Sequence, residues 1–316
     1  MNHSRSLYWI GSRLRKKKAS YEDICLKQRL IVSIVRHIPL IFRRSFAVVI
    51  ARLAYYLSLK HRLIAIHNLL RSFPDRPLEE IIRLAKDSYT SSALLVADFF
   101  DVPYLNKENL HQWISIEGLD NYTNACKEGK GVLLFSAHFG NWEIGNAALA
   151  IMTQPFIFVY RIFDSPFLEK GITDVRNSYG NISLSKENAM RPLLRLLKKG
   201  ATINLLIDQN VAWYDGVFVD FFGRKACTTS GLALLTSHTK APVLPVFTRR
   251  LPDGKYLLEI GKRVEVVNSG NRNADALINT QNFTKIIEDH IRQYPEQWFW
   301  VHQRWKTKLC QAKQRG

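Results

Sequence analysis

His138 and Glu143 stand five positions apart in the run Ser136-Ala137-His138-Phe139-Gly140-Asn141-Trp142-Glu143. An imidazole can take a proton from a hydroxyl, provided a neighbouring acid fixes its tautomer and stabilises the imidazolium that forms. Spacing alone says little: with nine histidines in the chain, about half of one such match is expected by chance at ordinary glutamate frequency. On a continuous helix, positions five apart are turned about 140° from each other and would not meet. The flanking residues change the reading. Gly131–Ala137 (GVLLFSA) has the apolar run of a buried strand, Gly140 supplies a sharp turn, and Glu143 falls in the first turn of the next helix. That arrangement can fold the two side chains together at the carboxyl end of a strand, the edge where open α/β sheets bind ligands. A histidine that caps a turn beside a helix-terminal glutamate fits the same eight residues.

The elements that must hold this pair alternate along the chain. Strand signals fall at 131–137, 156–160, 201–207, 243–247 and 256–260, and helix signals at 78–100, 142–152, 167–179, 191–199, 231–238 and 274–293. Alternation of this kind predicts an α/β fold with a mostly parallel central sheet flanked by helices. Phe46, Val49, Ile50, Leu53 and Leu57 recur with helical period among Arg43, Arg44, Arg52 and Lys60. Such a helix either lies in a lipid interface with its cations near phosphates or packs on the main domain with a solvated basic face. The expected organisation is a basic, partly amphipathic helical segment over 1–70 and a catalytic domain over 71–316.

Charge is concentrated at the start. Residues 1–71 carry 15 Lys/Arg against Glu22 and Asp23, a net of +13 out of +18 for the chain. Nucleic acid, an anionic membrane face and an acidic protein all suit such a segment. The stretch 30–59 is apolar but interrupted by Arg36, Pro39, Arg43, Arg44 and Arg52, whereas a membrane span needs about 20 largely uncharged residues. Cys25, Cys126, Cys227 and Cys310 lie far apart with no zinc or redox spacing, and are expected to be reduced thiols. Asp215 and Asp220 have no His or Cys at ligand spacing nearby, so no metal site is expected.

Four ordered segments resemble a known family. SAHFGNWEIG, with His138, Gly140, Asn141 and Glu143, is similar to the H-x4-E signature of the lysophospholipid acyltransferase superfamily, and its G-N-W wording to the bacterial late acyltransferases of lipid A biosynthesis. Leu206-Ile207-Asp208-Gln209-Asn210 resembles that family's strand-end Asp-Gln motif. The run 216–223 (GVFVDFFG), followed by Ala226 and Thr228-Thr229, resembles its aromatic-glycine loop, and 295–306 (PEQWFWVHQRWK) its C-terminal signature. The likeness covers roughly residues 30–308.

The resemblance implies a glycerol-3-phosphate-acyltransferase-like fold and transfer of a fatty acyl chain from an acyl–acyl-carrier-protein thioester to a hydroxyl of a lipid A precursor or related glycolipid. It places this at the cytoplasmic face of the inner membrane, with acyl carrier protein, anionic membrane lipid and the acceptor as partners, no nucleic acid and no cofactor. His138 carries over as general base and Glu143 as its partner. Arg161 and Arg176 are expected at phosphate or oxyanion groups, with Asp208, Gly140 and Asn141 beside the substrate. Phe218 and Phe221 are expected to line an acyl channel or to be ordinary core residues. Trp298, Phe299, Trp300, Trp305 and His302 are expected to be structural. The sequence departs from the family pattern in the arginines that break its N-terminal apolar segment, and in Asn210 where a second Asp is common.

A nucleic-acid-binding protein is motivated by the charge alone and lacks a helix-turn-helix, zinc or RNA-stacking pattern. A non-catalytic lipid-binding protein would have no need of the His–Glu pair. A hydrolase would use the same base to activate water.

Overall fold

The computed structural model describes residues 30–309. Cys25, Cys310 and the basic residues 1–20 lie outside the described residues. In chain order the elements are α1 (Leu40–Leu57), α2 (Leu59–Ser72), α3 (Leu78–Phe99), β1 (Ile114–Glu117), α4 (Leu119–Lys127), β2 (Val132–Ser136), α5 (Trp142–Met152), β3 (Ile157–Tyr160) and α6 (Pro166–Arg176). They continue with β4 (Ile182–Ser185), α7 (Met190–Leu197), β5 (Thr202–Leu206), β6 (Gly216–Phe221), β7 (Arg224–Thr229), α8 (Gly231–Thr239), β8 (Val243–Arg250), β9 (Tyr256–Ile260) and α9 (Arg272–Gln293). Seven strands form one sheet in the order β1-β9-β8-β2-β5-β3-β4, parallel except where β8 meets β9. The expected α/β architecture is therefore present.

β2 is buried at every position. It sits at the centre of the sheet between β5 and β8, which explains why its residues are a continuous apolar run rather than an alternating one. One core lies on each face. Leu133 and Phe135 join Ile203, Phe283 and Ile287 on one side, while Val132 and Leu134 join Ile144, Leu149 and Leu258 on the other. This is the period-two division that a pleated strand imposes.

The 216–223 segment is not a loop. β6 and β7 form an antiparallel hairpin in which Phe221 pairs with Arg224 across the two-residue turn Phe222-Gly223. Both turn residues have positive φ, 53° and 69°. This is the mirror-image turn that matches strand twist, and Asn-Gly or Asp-Gly would ordinarily announce it. Here tertiary contacts hold Phe222 in place. Its ring packs on Phe73 and Trp300, and its backbone N–H donates to Glu288 of α9 at 2.6 Å.

α1 resolves the meaning of the arginines in the apolar segment. The Arg44 guanidinium forms a two-bond fork with Asp98 at 2.8 and 2.9 Å, and Arg43 pairs with Asp101 at 2.6 Å. Both acids lie at or just past the end of α3. Asp98 is fully buried and also accepts from the Tyr256 hydroxyl at 2.6 Å. The cations, with buried Ala51 and Tyr55, thus clamp α1 to the α/β body, while most of its large apolar side chains are exposed. Phe46 is 67 % exposed and Leu57 81 %, with Val49, Ile50 and Leu53 exposed beside them. α1 therefore packs on the main domain, but the face it exposes is largely apolar, with Arg43 and Arg44 turned to the body. Among the described residues no helix is long and apolar enough to cross a membrane.

Candidate active site

β2 and β5 run parallel in a register that places Ser136 opposite Leu206. Ile207 N–H donates to the Ser136 carbonyl at 3.1 Å and extends the pairing one residue further. His138 and Asp208, each two residues beyond its strand, therefore emerge side by side. The His138 Nδ1 lies 2.8 Å from Asp208 Oδ1, and the His138 backbone N–H donates to Asp208 Oδ2 at 3.0 Å. Trp298 Nε1 donates to the same Oδ2 at 2.8 Å.

These contacts set the charge of Asp208. Burial by itself raises a carboxyl pKa, but the attraction of His138 and the hydrogen bonds from its ring, from Trp298 and from its backbone outweigh that and hold Asp208 at about 2. An ionised carboxylate only accepts, so in the neutral imidazole the proton is on Nδ1 and Nε2 carries the lone pair. The Gln209 side-chain amide lies 3.2 Å from that Nε2. Asp208 thus fixes one edge of the His138 ring, Gln209 meets the other, and the residue borders an open space.

That space is a cleft of about 550 Å³, within the usual range for a small-molecule site. Around His138 its wall combines apolar Ile162, Phe163, Leu206 and Val211 with cationic Arg161 and Lys186. His302, Tyr160 and Arg176 also border it.

Glu143 is elsewhere. The expected hydrogen bond from this acid to the imidazole is made by Asp208 instead. The Glu143 carboxylate accepts from Arg176 Nη2 at 2.6 Å, from Arg176 Nε at 3.1 Å and from Trp142 Nε1 at 2.9 Å. The Trp142 ring stands edge-on to the His138 ring, with centroids 5.1 Å apart, so indole lies where the sequence reading placed carboxylate. The physical reason is the turn. Gly140 takes φ +55°, Asn141 caps α5 by accepting from Ile144 N–H at 3.1 Å, and the helix begins with Glu143 directed toward α6.

The remaining expected site residues divide. Arg161 is on the cleft lip, 71 % exposed and 3.6 Å from Asp164. Arg176 borders the cleft, but its fork is engaged by Glu143 and its cation lies over Phe158, 4.7 Å from the ring centre. It serves as a wall rather than a free phosphate receptor. Gly140 and Asn141 are buried beneath the turn, with Gly140 N–H donating to Gln297 carbonyl at 2.8 Å. They shape the loop and do not face the cleft. Asp208 is likewise buried behind His138 and positions it rather than touching substrate. Phe218 and Phe221 do not border the cleft either. Phe221 is buried against Trp298 and Trp305, because hairpin alternation directs it into the core.

Sequence reasoning missed three contributors. Trp298, expected to be purely structural, donates to Asp208. Its neighbours fasten the His138 loop, since Phe299 N–H donates to the His138 carbonyl at 3.1 Å and Phe139 bridges Trp298. Gln209, next to Asp208 in the Asp-Gln segment, caps the imidazole. Its carbonyl accepts from Arg304, which also donates to the Cys227 carbonyl at 2.8 Å and to the Thr228 hydroxyl. Burial lowers the Arg304 pKa to about 10 despite the attraction of Asp208. Lys186, one residue past β4, had no local signal at all. His302 borders the cleft and accepts from Asn210 N–H at 2.9 Å, and burial lowers its pKa to about 4 against the pull of Asp208. Among the described residues no group of three or more His, Cys, Asp or Glu could hold a metal ion. Cys126 and Cys227 are free thiols.

Comparison with known proteins agrees with the geometry. The family model described as bacterial lipid A biosynthesis acyltransferase matches residues 28–307. The chain is 28 % identical over 247 residues to a lipid A biosynthesis palmitoleoyltransferase of Escherichia coli (strain K12), covering 78 % of each chain. It is 26 % identical over 275 residues to a lipid A biosynthesis lauroyltransferase of the same strain, covering 85 % of this chain and 86 % of the other. A phosphatidylinositol mannoside acyltransferase of Mycolicibacterium smegmatis (strain ATCC 700084 / mc(2)155) is 25 % identical over 249 residues, covering 78 % and 80 % respectively.

Proposed function

The chain belongs to the bacterial lipid A biosynthesis acyltransferase family, and from that premise we propose that it transfers a fatty acyl group from an acyl–acyl-carrier-protein thioester to a hydroxyl of a lipid A precursor or related glycolipid. The observation that carries the reading is the buried Asp208 paired with His138, whose imidazole borders a cleft lined by both apolar and cationic side chains.

The reaction follows from that geometry. The acceptor hydroxyl takes the place of the Gln209 amide at His138 Nε2. Its oxygen attacks the thioester carbonyl carbon as Nε2 accepts the hydroxyl proton, and Asp208 stabilises the imidazolium. Collapse of the tetrahedral intermediate breaks the carbon–sulfur bond. The imidazolium then protonates the departing thiolate, leaving an ester and a free thiol. Ile162, Leu206 and Val211 offer the acyl chain an apolar wall, and Arg161 and Lys186 offer cations to the acceptor's phosphate or to the developing oxyanion.

The outward apolar face of α1, with Arg52 and Lys60 near it, suits the interfacial zone of an anionic leaflet. This supports a site at the cytoplasmic face of the inner membrane, where carrier thioesters are available. The test is acyl transfer by purified protein from labelled acyl carrier protein to the lipid acceptor, read by mass spectrometry as addition of one acyl chain. His138→Ala is expected to abolish it without loss of fold. Near wild-type turnover by that variant, or release of free fatty acid in place of acylated lipid, would refute the assignment.

A further inference from the structure

The chain beyond β5 is fastened on both sides of Gln209. Asp208 accepts from the His138 ring, the His138 backbone N–H and Trp298. Asn210 N–H donates to His302 Nε2 at 2.9 Å. The Asn210 side chain donates to the Thr307 hydroxyl at 3.0 Å and accepts from the Thr307 N–H at 3.1 Å. Between these two, the Gln209 carbonyl accepts from Arg304 at 3.3 Å. That guanidinium is fully buried and also grips the Cys227 carbonyl and the Thr228 hydroxyl. The backbone at 209 is therefore fixed.

The Gln209 side chain is the exception in this segment. It is half-buried on the cleft wall, and its amide nitrogen lies 3.2 Å from His138 Nε2. Because Asp208 holds the imidazole proton on Nδ1, Nε2 is an acceptor and the NH₂ of Gln209 is the group that faces it. One amide hydrogen meets Nε2; the second, like the amide oxygen, has no partner among the described residues. Other donors on the same wall are engaged, Arg176 by Glu143, the Tyr160 hydroxyl by Glu169 and the Asn210 amide by Thr307. Arg161 and Lys186 are exposed, where water weakens the pull of a charge. Gln209 thus combines an anchored backbone with an uncommitted donor beside the base.

We propose that Gln209 is the catalytic oxyanion donor of acyl transfer, a role that rests on the function proposed above. The acceptor hydroxyl, on reaching Nε2, releases the amide next to the carbon under attack. As the acceptor oxygen bonds to the thioester carbon, the carbonyl π pair moves onto the carbonyl oxygen and the hydroxyl proton moves to Nε2. The new oxyanion and the acceptor oxygen share one carbon, so an amide beside Nε2 reaches the oxyanion by rotating its side chain alone. Gln209 N–H donates to it until the electron pair returns, the carbon–sulfur bond breaks and the thiolate takes the proton from the imidazolium. A donor anchored beforehand stabilises this charge with little reorganisation.

The test compares the wild-type protein with Gln209→Met, which keeps side-chain length and removes the donor. Gln209→Glu keeps the shape and sets a carboxylate against the developing charge; it supplies the same comparison if Gln209→Met does not fold. Acyl carrier protein is loaded with one acyl chain either as the thioester or as the dithioester, in which sulfur replaces the carbonyl oxygen. In both variants kcat for the thioester is expected to fall on the order of 100-fold with KM within about threefold, because the bond exists only in the transition state. Sulfur accepts hydrogen bonds weakly, so the wild-type preference for thioester over dithioester should shrink about tenfold or more in the variants. A kcat within about fivefold of wild type would overturn the proposal. A lower kcat with an unchanged oxygen-to-sulfur preference would also overturn it, leaving Gln209 a positioner of the imidazole. Absence of transfer by the wild-type protein would instead refute the function on which the proposal rests.

Discussion

Asp208 Oδ1 lies 2.8 Å from His138 Nδ1, although the two residues are 70 positions apart in the chain. Parallel pairing of β2 with β5 makes them neighbours. Three donors converge on this one carboxylate, so its ionisation, the imidazole tautomer and the ring orientation are fixed together.

Asp208→Asn tests that arrangement. An amide has one acceptor oxygen, and its NH₂ must face either His138 Nδ1 or the two donors at Oδ2. Facing Nδ1 is less costly, and it drives the imidazole proton to Nε2, where the base is needed. Turnover should fall on the order of 10³-fold, with the thermal unfolding midpoint shifted by only a few degrees. A variant retaining more than a tenth of wild-type kcat would contradict the tautomer argument.

Glu143 and Arg176 form a buried pair with side chains 5 % and 11 % exposed. Arg176→Met alone leaves an uncompensated buried carboxylate and should cost about 3–5 kcal/mol in denaturant unfolding. Glu143→Leu combined with Arg176→Met removes both charges and should recover much of that loss, giving a coupling energy above about 1 kcal/mol. Additive losses would mean that the pair does not hold α5 to α6.

Gly140 has φ +55°, and a Cβ there would meet the Thr248 carbonyl oxygen at 1.8 Å. Gly140→Ala should therefore destabilise the fold by at least about 2 kcal/mol and displace the His138 loop. Calorimetry and acyl transfer measured on the same sample should fall together. Stability within about 0.5 kcal/mol of wild type would show that β8 yields to the added methyl.

His290 stacks on Phe247 at 4.0 Å and titrates at about 4, because burial and then the charge of Arg249 disfavour its protonated form. Its ordinary value is near 6.5, so between about pH 6.5 and 4 the unfolded chain binds the extra proton. Stability present above that window is lost as pH falls through it, at up to about 1.4 kcal/mol per pH unit. His302, also held at about 4, adds to the slope. Urea unfolding at pH 7 and pH 5 should show the loss, and His290→Phe should flatten it. An equal slope in that variant would place the acid sensitivity elsewhere.

Much of the molecule was legible in its residue order. The apolar run ending at Ala137, the turn at Gly140 and the periodic segments between the strands specify local structure, and α5 and β9 begin and end where the pattern places them. Short-range chemistry also singled out His138, because a buried strand ends just before it and a glycine turn and a helix follow. Partner choice was a different matter. Glu143 is close in sequence and Asp208 distant, yet β2 pairs with β5 in register and brings the distant acid to the imidazole, while one left-handed glycine turns the near acid toward Arg176. The β6–β7 hairpin escaped sequence reading for a related reason. Phe222 occupies a left-handed position that its own preference opposes, and contacts from distant parts of the chain, Phe73, Trp300 and Glu288 among them, hold it there. Local sequence decides what each segment can become, because backbone preference and burial pattern act over a few residues. Which side chains meet is decided by strand register and packing, which depend on contacts that no local window contains.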